Sequence, residues 1–299
     1  MTEQSKQLAP LQKKQLTIRQ WLYSPKLIDQ LDMALPVGPL NGRRMARLIY
    51  SEVTRNPRLA DCTIESICGV AMACAQVGLE PGPTAQAYVI PYGKEATFQL
   101  SYRGLLTLAQ NSEKIIGVSG AVVYSKDTVF EFDEGSDAFV RYQRTMDAER
   151  GEPVCAFASL KTAGGGNIVR VMSVPQIEKH RQRFSKDKRD NSAWSTDWDE
   201  MAIKTVLKKA AKWAPVSTET ARAMTWDALA EAGKPQKLED EVVIAEPMVV
   251  VHCEMCDERH EYPIPYDGPC DGLGCGVTII VPDDCDVDPE TNEMIPAGV

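Results

Sequence analysis

Apolar residues recur at helical spacing in the first third of the chain, alternate with polar ones through its middle, and return to helical spacing afterwards. Over 18–31 and 43–55 they lie three and four apart (Ile18 and Leu22; Met45, Leu48, Ile49 and Val53), which predicts two helices parted by Pro36 and Gly38-Pro39. The segment 64–77 is apolar on nearly every side and predicts a core helix, with Thr63 or Asp61 to cap it and Gly78 just past its end. The segments 87–91 and 96–101 flank Tyr92, Gly93, Lys94 and Glu95 as a hairpin, and a helix continues over 102–110. Strands follow at 117–124, 129–133, 140–144, 154–160 and 168–172, the last two separated by a turn at Gly164, Gly165 and Gly166. Pro175 opens another helix, and further ones are predicted at 194–215 and 218–231 before Gly233 and Pro235 signal a linker.

The stretch 194–215 organises the rest. Thr196 caps its start, Asp199 three residues on suits a capping box, and Pro215 ends it. Ile203, Val206, Leu207, Ala210 and Trp213 form an inward face, whereas Lys204, Lys208 and Lys212 recur every fourth residue as an outward stripe. Such a stripe is either a solvated face or a wall for a polyanion. Just before it, Arg181, Arg183, Lys186, Lys188 and Arg189 crowd into nine residues, so two adjacent basic segments are expected to line one groove. Trp194 and Trp198 stay open between core and base-stacking roles. Around the hairpin, Tyr92, Lys94, Phe98, Tyr102 and Arg103 interleave aromatic and basic residues, the mixture that stacks bases and pairs phosphates, although Phe98 and Tyr102 serve equally as core. Arg43, Arg44 and Arg47 fall within one helical turn, as a phosphate-facing patch or as ordinary solvated charge.

Composition narrows the class. With 299 residues, 43% hydrophobic and 25% charged, the chain can bury a sizeable core plus an appendage. No apolar run approaches the ~18 residues of a membrane span, and the first residues lack a secretory segment, so a cytoplasmic setting without a membrane is expected. Nine cysteines suit free thiols or a metal site there better than disulfides. Residues 238–299 hold 16 Asp and Glu against Arg259 alone, a net of −15, so the total of −9 leaves +6 for the 237 residues before them. A basic body with an acidic tail suits nucleic acid as partner. The glycine triplet is followed by neither Lys-Ser nor Lys-Thr, which excludes a phosphate-cradling loop there and predicts DNA chemistry without ATP.

In the tail, Cys253, Cys256, Cys270 and Cys275 read C-x2-C-x13-C-x4-C, close to zinc-ribbon spacing, with His252, His260 or Cys285 as alternative ligands. So small a segment folds most simply around a structural zinc, and four thiolates leave no open position for a catalytic water. The fold class is α+β: N-terminal helices, a central twisted antiparallel sheet packed by helices, and a small zinc-ribbon-like tail. Four regions are predicted: a mobile arm at 1–16, a core at 17–232, a linker at 233–248 and an acidic Cys-rich tail domain at 249–299.

The motifs GLEPGPTAQAYVIPYGKEATFQLSYRGLLTLAQNS and WDEMAIKTVLKKAAKWAP resemble those of the RecT family of phage and prophage single-strand annealing proteins, and the likeness runs in order over 15–232. The resemblance implies an ATP-independent protein, not an enzyme, that coats single-stranded DNA, pairs it with a complementary strand and assembles into rings or helical filaments in a bacterial host cell. It implies as partners the annealed duplex, a phage 5′ to 3′ exonuclease and the host single-strand binding protein, with magnesium as an assisting ion. It assigns DNA binding, annealing and oligomerisation to the core at 17–232, and Lys94, Arg103 and the lysine helix are then groove-lining. Two other readings compete: a metal-dependent nuclease using Asp197, Asp199 and Glu200, and a zinc-finger regulator reading duplex DNA through its tail.

Overall fold

Pro25 divides in two what the spacing over 18–31 predicts as one helix: α1 (Pro10–Leu22) ends before it and α2 (Pro25–Ala34) begins on it. A proline ring fits the first turn of a helix but not its interior. The elements then run α3 (Gly42–Arg55), α4 (Ile64–Val77), β1 (Ala87–Tyr92), β2 (Glu95–Leu100), α5 (Tyr102–Asn111), β3 (Ile115–Tyr124), β4 (Val129–Asp133), β5 (Phe139–Gln143), β6 (Pro153–Thr162), β7 (Asn167–Ser173), α6 (Val174–Phe184), α7 (Ala193–Thr196), α8 (Trp198–Ala211) and α9 (Thr218–Glu231). The tail adds β8 (Met248–Cys253), β9 (Glu258–Pro263), β10 (Tyr266–Pro269), β11 (Thr278–Val281), β12 (Asp286–Val287) and β13 (Met294–Ile295). The computed structural model describes residues 10–184, 193–243, 248–272, 275–282, 285–287 and 293–295. Of the expected mobile arm, 1–9 lie outside the described residues and 10–16 are helical. The mixed α+β class is borne out, with helices first and antiparallel sheets after.

The chain forms two compact units, one from Met1–Gly82, Val89–Thr97 and Lys237–Val299, the other from Pro83–Tyr88 and Phe98–Gln236. In the first, α1 to α4 bury Leu22, Leu31, Met45, Ile49 and Ile67 completely. Helix α4 is delimited as its caps dictate: the Thr63 hydroxyl accepts the Ser66 amide and Gly78 closes the helix at φ +65°. Cys68 and Cys74 lie inside it, and burial pushes the Cys68 thiol up to about 12, which makes both inert.

Part of the segment expected as a linker is bound along this unit. A Cβ on Gly69 would stand 2.6 Å from the Leu238 carbonyl carbon, so α4 presents a bare groove to that backbone. Gln30 then exchanges two hydrogen bonds with the Val243 main chain, donating at 3.0 Å and accepting at 2.8 Å. The tail has its own small core of Val249, Val251, Tyr262, Ile279, Val281 and Cys285, and Gln20 of α1 donates to the Cys285 carbonyl at 2.7 Å.

In the second unit β3, β6 and β7 make an antiparallel sheet in that order. Alternation along β6 sends Cys155 and Phe157 to one face and Ala156, Ala158 and Leu160 to the other. The first face is covered by the β4–β5 hairpin, whose Phe130 and Tyr142 rings lie 5.7 and 5.3 Å from that of Phe157. The small residues of the second leave room for α8 to pack on the sheet.

Beside the hairpin, the Asp127 side chain is 1% exposed and accepts from Arg150 at 2.6 Å, from Tyr142 at 3.0 Å and from the amides of Tyr124 and Thr145. Burial alone would raise its pKa, but these donors outweigh it and bring the carboxyl to about 2. A depressed carboxylate stabilises the fold above its unfolded value near 4, and that contribution is lost as pH falls from about 4 to about 2. We expect Asp127→Asn to cost about 2 kcal/mol at neutral pH and to flatten the acid limb of stability, measured by urea unfolding at several pH values. An unchanged acid limb would refute the assignment.

Candidate nucleic-acid interface and metal centre

Helix α8 corrects the expected stripe. Lys204 is buried, with its ammonium 3.0 Å from Asp227 and 3.6 Å from Glu231. Lys208 lies 2.7 Å from Asp227 and 2.8 Å from Glu231. Asp227 is itself fully buried and also accepts the Leu100 amide at 3.0 Å. Burial opposes its ionisation, but the two ammonium groups hold it below the usual carboxylate range. Two lysines four apart on α8 thus meet two acids four apart on α9, so Lys204 and Lys208 face a partner helix rather than solvent.

The helix end also differs. α8 stops at Ala211, so Lys212 and Trp213 fall in the following turn, and Trp213, expected inward, is 71% exposed with the Arg170 guanidinium 4.8 Å over its ring. Register places Arg170 opposite Ala158, on the sheet face that α8 covers, and Lys209 is exposed as well. His180 of α6 senses Glu231, Lys209, Lys208 and Lys212, and its burial holds the imidazole below its ordinary value. A cationic surface therefore exists at this end of α8, but Lys209, Lys212, Arg170 and Trp213 carry it. The doubled lysine at 208–209 was the available signal for Lys209; none marked Arg170.

At the other end, α6 meets α7 and the start of α8. Trp194 is buried, with the Arg181 guanidinium 5.7 Å from its ring centre, and Arg181 also pairs with Glu178 at 3.5 Å. The half-buried Trp198 donates its indole N–H to Glu178 at 2.7 Å. Arg183 is exposed. Lys186, Lys188 and Arg189 lie outside the described residues. The expected capping box is absent: Asp197 is the N-cap but its side chain caps no backbone amide, accepting instead the Thr196 hydroxyl at 2.6 Å, and Asp199 accepts the Tyr124 hydroxyl at 2.7 Å. Asp197, Asp199 and Glu200 do not converge as ligands; among the described residues the groups that could hold a metal all lie in the tail.

Around the hairpin, Phe98 is core, fully buried edge-on to Trp226 at 5.8 Å. The half-buried Tyr102 accepts from the exposed Arg103 at 3.4 Å, and Tyr88, 44% exposed and overlooked in the sequence, lies near enough to act on Arg103. Lys94 is exposed at the hairpin turn of the first unit, where its carbonyl accepts the Thr63 amide at 2.8 Å.

The four tail cysteines converge. Cys253 ends β8, Cys256 sits in the β8–β9 turn, Cys270 follows β10 and Cys275 precedes β11. Their sulfurs lie within 4.8 Å of one another, Cys253 to Cys275 at 3.5 Å and Cys256 to Cys270 at 3.7 Å. Four thiolates about 2.3 Å from one tetrahedral ion stand about 3.8 Å apart, so this donor set fits a metal. A Cβ on Gly272 would stand 2.8 Å from the Cys256 sulfur, so this position needs glycine. The amides of Cys256 and Met255 bring the Cys253 thiol down to about 6. Of the alternatives, His252 is engaged by Asp257 at 2.9 Å and the Cys285 sulfur accepts from Gln20 at 3.7 Å, whereas His260 stands 3.5 Å from the Cys256 sulfur.

No described helix is long and apolar enough to cross a membrane. The sequence model of the RecT family matches residues 43–242, ending before the cysteine cluster. The chain is 32% identical over 228 residues to Protein RecT of Escherichia coli (strain K12), covering 73% of this chain and 83% of that protein. It is 26% identical over 221 residues to Uncharacterized protein YqaK of Bacillus subtilis (strain 168), covering 72% and 73% of the two.

Proposed function

Because the chain belongs to the RecT family of DNA recombination and single-strand annealing proteins, we propose that it coats single-stranded DNA and pairs it with a complementary strand, without ATP and within a homo-oligomeric ring or filament. The observation that carries this reading is the cationic and aromatic set that the second unit leaves exposed or half-exposed: Lys209, Lys212, Arg170 and Trp213 at one end of α8, Arg183 on α6, and Tyr102 and Arg103 on α5. Annealing requires phosphates to be neutralised while base edges stay free to pair. Guanidinium and ammonium groups beside flat rings meet both needs, and among the described residues the groups that could hold a metal lie in the tail, away from this set. The buried lysines support the surface from beneath, with Lys204 and Lys208 holding α8 against α9.

Magnesium assists by screening the two strands, a 5′ to 3′ exonuclease supplies the single strand, and the host single-strand binding protein is a further partner, all in the cytoplasm of a bacterial host carrying the phage or prophage. The tail holds a structural zinc on Cys253, Cys256, Cys270 and Cys275. As a reader of duplex sequence the tail is poorly equipped, because its one arginine, Arg259, is paired with Glu293 at 3.0 Å.

Incubating labelled strands with protein and magnesium but no nucleotide tests the reading: duplex formed from intact strands is expected, and shortened products would replace it with the nuclease. For the surface, Lys209→Gln with Lys212→Gln should weaken single-strand binding and reduce the slope of log affinity against log salt by about 1.4, at about 0.7 per phosphate contact. Trp213→Ala should cost about 1–3 kcal/mol of binding if one base stacks there. A wild-type salt slope in the double glutamine variant together with wild-type affinity in Trp213→Ala would clear this end of α8.

A further inference from the structure

The first unit carries a cationic face of its own. Arg43 and Arg47 lie one turn apart on α3, both exposed, and among the described residues neither meets a carboxylate. Other arginines of the same helix are neutralised, Arg44 by Glu80 at 2.7 Å and Arg55 by Glu52 at 2.8 Å. Tyr50, three residues after Arg47 and seven after Arg43, continues their face. Helix α1 packs against α3, and Tyr23 directly follows its end, with Arg19 one turn before it. The Tyr23 hydroxyl lies within electrostatic reach of Arg19, Arg47, Tyr50 and Arg43. Nor does the fold favour cations here: the first turn of α3 contains no acid, and positive charge at that end of a helix opposes its dipole by about 0.3–1 kcal/mol. Two exposed arginines left uncompensated beside two half-buried tyrosines match a phosphate backbone and the faces of its bases.

A protein that pairs two strands must hold two polyanions. Cations already satisfied by one strand attract the second no longer, and the phosphates of the two repel. We propose that Tyr23, Arg43, Arg47 and Tyr50 form a second nucleic-acid contact, which receives the incoming complementary strand while the surface of the second unit holds the first. This assignment rests on the annealing reading above.

The test uses the full-length protein with Arg43→Gln and Arg47→Gln together, beside Arg43→Lys with Arg47→Lys, after thermal melts have matched both to wild type. Two readouts are needed: affinity for a fluorescent single strand, and the rate at which the preformed complex anneals a complementary strand. The glutamine variant should bind the first strand within about twofold of wild type yet anneal at least about tenfold more slowly, and the lysine variant should recover most of the rate. Unchanged annealing overturns the proposal. So does a parallel loss of first-strand affinity, which would make the patch part of the first site. A wild-type protein that neither binds nor anneals would instead refute the parent reading.

Discussion

Asp227→Ala is expected to destabilise the second unit by roughly 3–5 kcal/mol, the range for removing one partner from a buried charge pair. The carboxylate takes Lys204 at 3.0 Å, Lys208 at 2.7 Å and the Leu100 amide at 3.0 Å, so its loss strands Lys204 and one backbone donor and leaves Lys208 with Glu231 alone. Glu231 alone cannot replace it, being 3.6 Å from Lys204 and partly exposed. Burial depresses the ammonium of Lys208, and Asp227 with Glu231 more than restores it, so its charge depends on them. Urea unfolding measures the effect directly, as a lower midpoint. The compensated variant Lys204→Met, Lys208→Met, Asp227→Leu should recover much of the loss, since apolar residues of similar volume often replace a buried ion cluster at little cost. A loss below about 1 kcal/mol for Asp227→Ala would show that water reaches the cluster and that the lysines are free for DNA. For the same reason, glutamine at Lys204, Lys208 and Lys212 together would not isolate DNA binding: two of the three positions report on folding.

The elements that local residues dictate were legible. Helix α4 runs between Thr63 and Gly78, and β4 and α9 appear where alternation and helical spacing place them, because cap, period and breaker all lie within a few residues of one another. Long-range partners were not legible. The sequence reads Lys204 and Lys208 as outward because the apolar residues of α8 define its other side; that a second buried face exists depends on Asp227 and Glu231, about twenty residues later. Asp199 has the spacing of a capping residue, but the hydroxyl of Tyr124, 75 residues before it, takes its carboxylate. The stretch expected as a linker likewise makes contacts that its composition does not show. Gln236 is buried, donating to the carbonyls of Phe98 at 2.7 Å and Trp226 at 2.8 Å, and nothing in a Gly- and Pro-marked stretch announces such contacts. In the candidate interface, the orientation of a side chain was the part that spacing left open. Arg103 and Lys212 are exposed as expected, whereas Trp213 turned outward because α8 ends before reaching it.

Spacing did reveal the cysteines, because metal ligation constrains sequence locally: each pair must close a tight turn on one ion. Metal removal is accordingly expected to unfold the tail and leave the rest standing. Structural zinc sites contribute about 10–16 kcal/mol of apparent binding free energy at neutral pH, far more than the small cluster around Val249, Tyr262 and Val281 supplies. The purified protein should contain one zinc per chain by elemental analysis. Cys253→Ser with Cys256→Ser should lose it, and proteolysis should then cut within 248–282 while a fragment ending near Val243 survives, since Gln30 and the bare side of Gly69 retain that strap without the metal. His260→Ala discriminates the ligand set. Its ring nitrogen is 3.5 Å from the Cys256 sulfur, close enough to hydrogen-bond a thiolate and also close enough to displace one. If the four sulfurs fill the tetrahedron, His260→Ala keeps its zinc and the cobalt-substituted protein retains the absorption of a four-thiolate site; loss of one equivalent would make His260 a ligand. Full retention of metal by the double serine variant would place the zinc elsewhere, and absence of metal from the wild type would leave the four thiols a reduced core cluster.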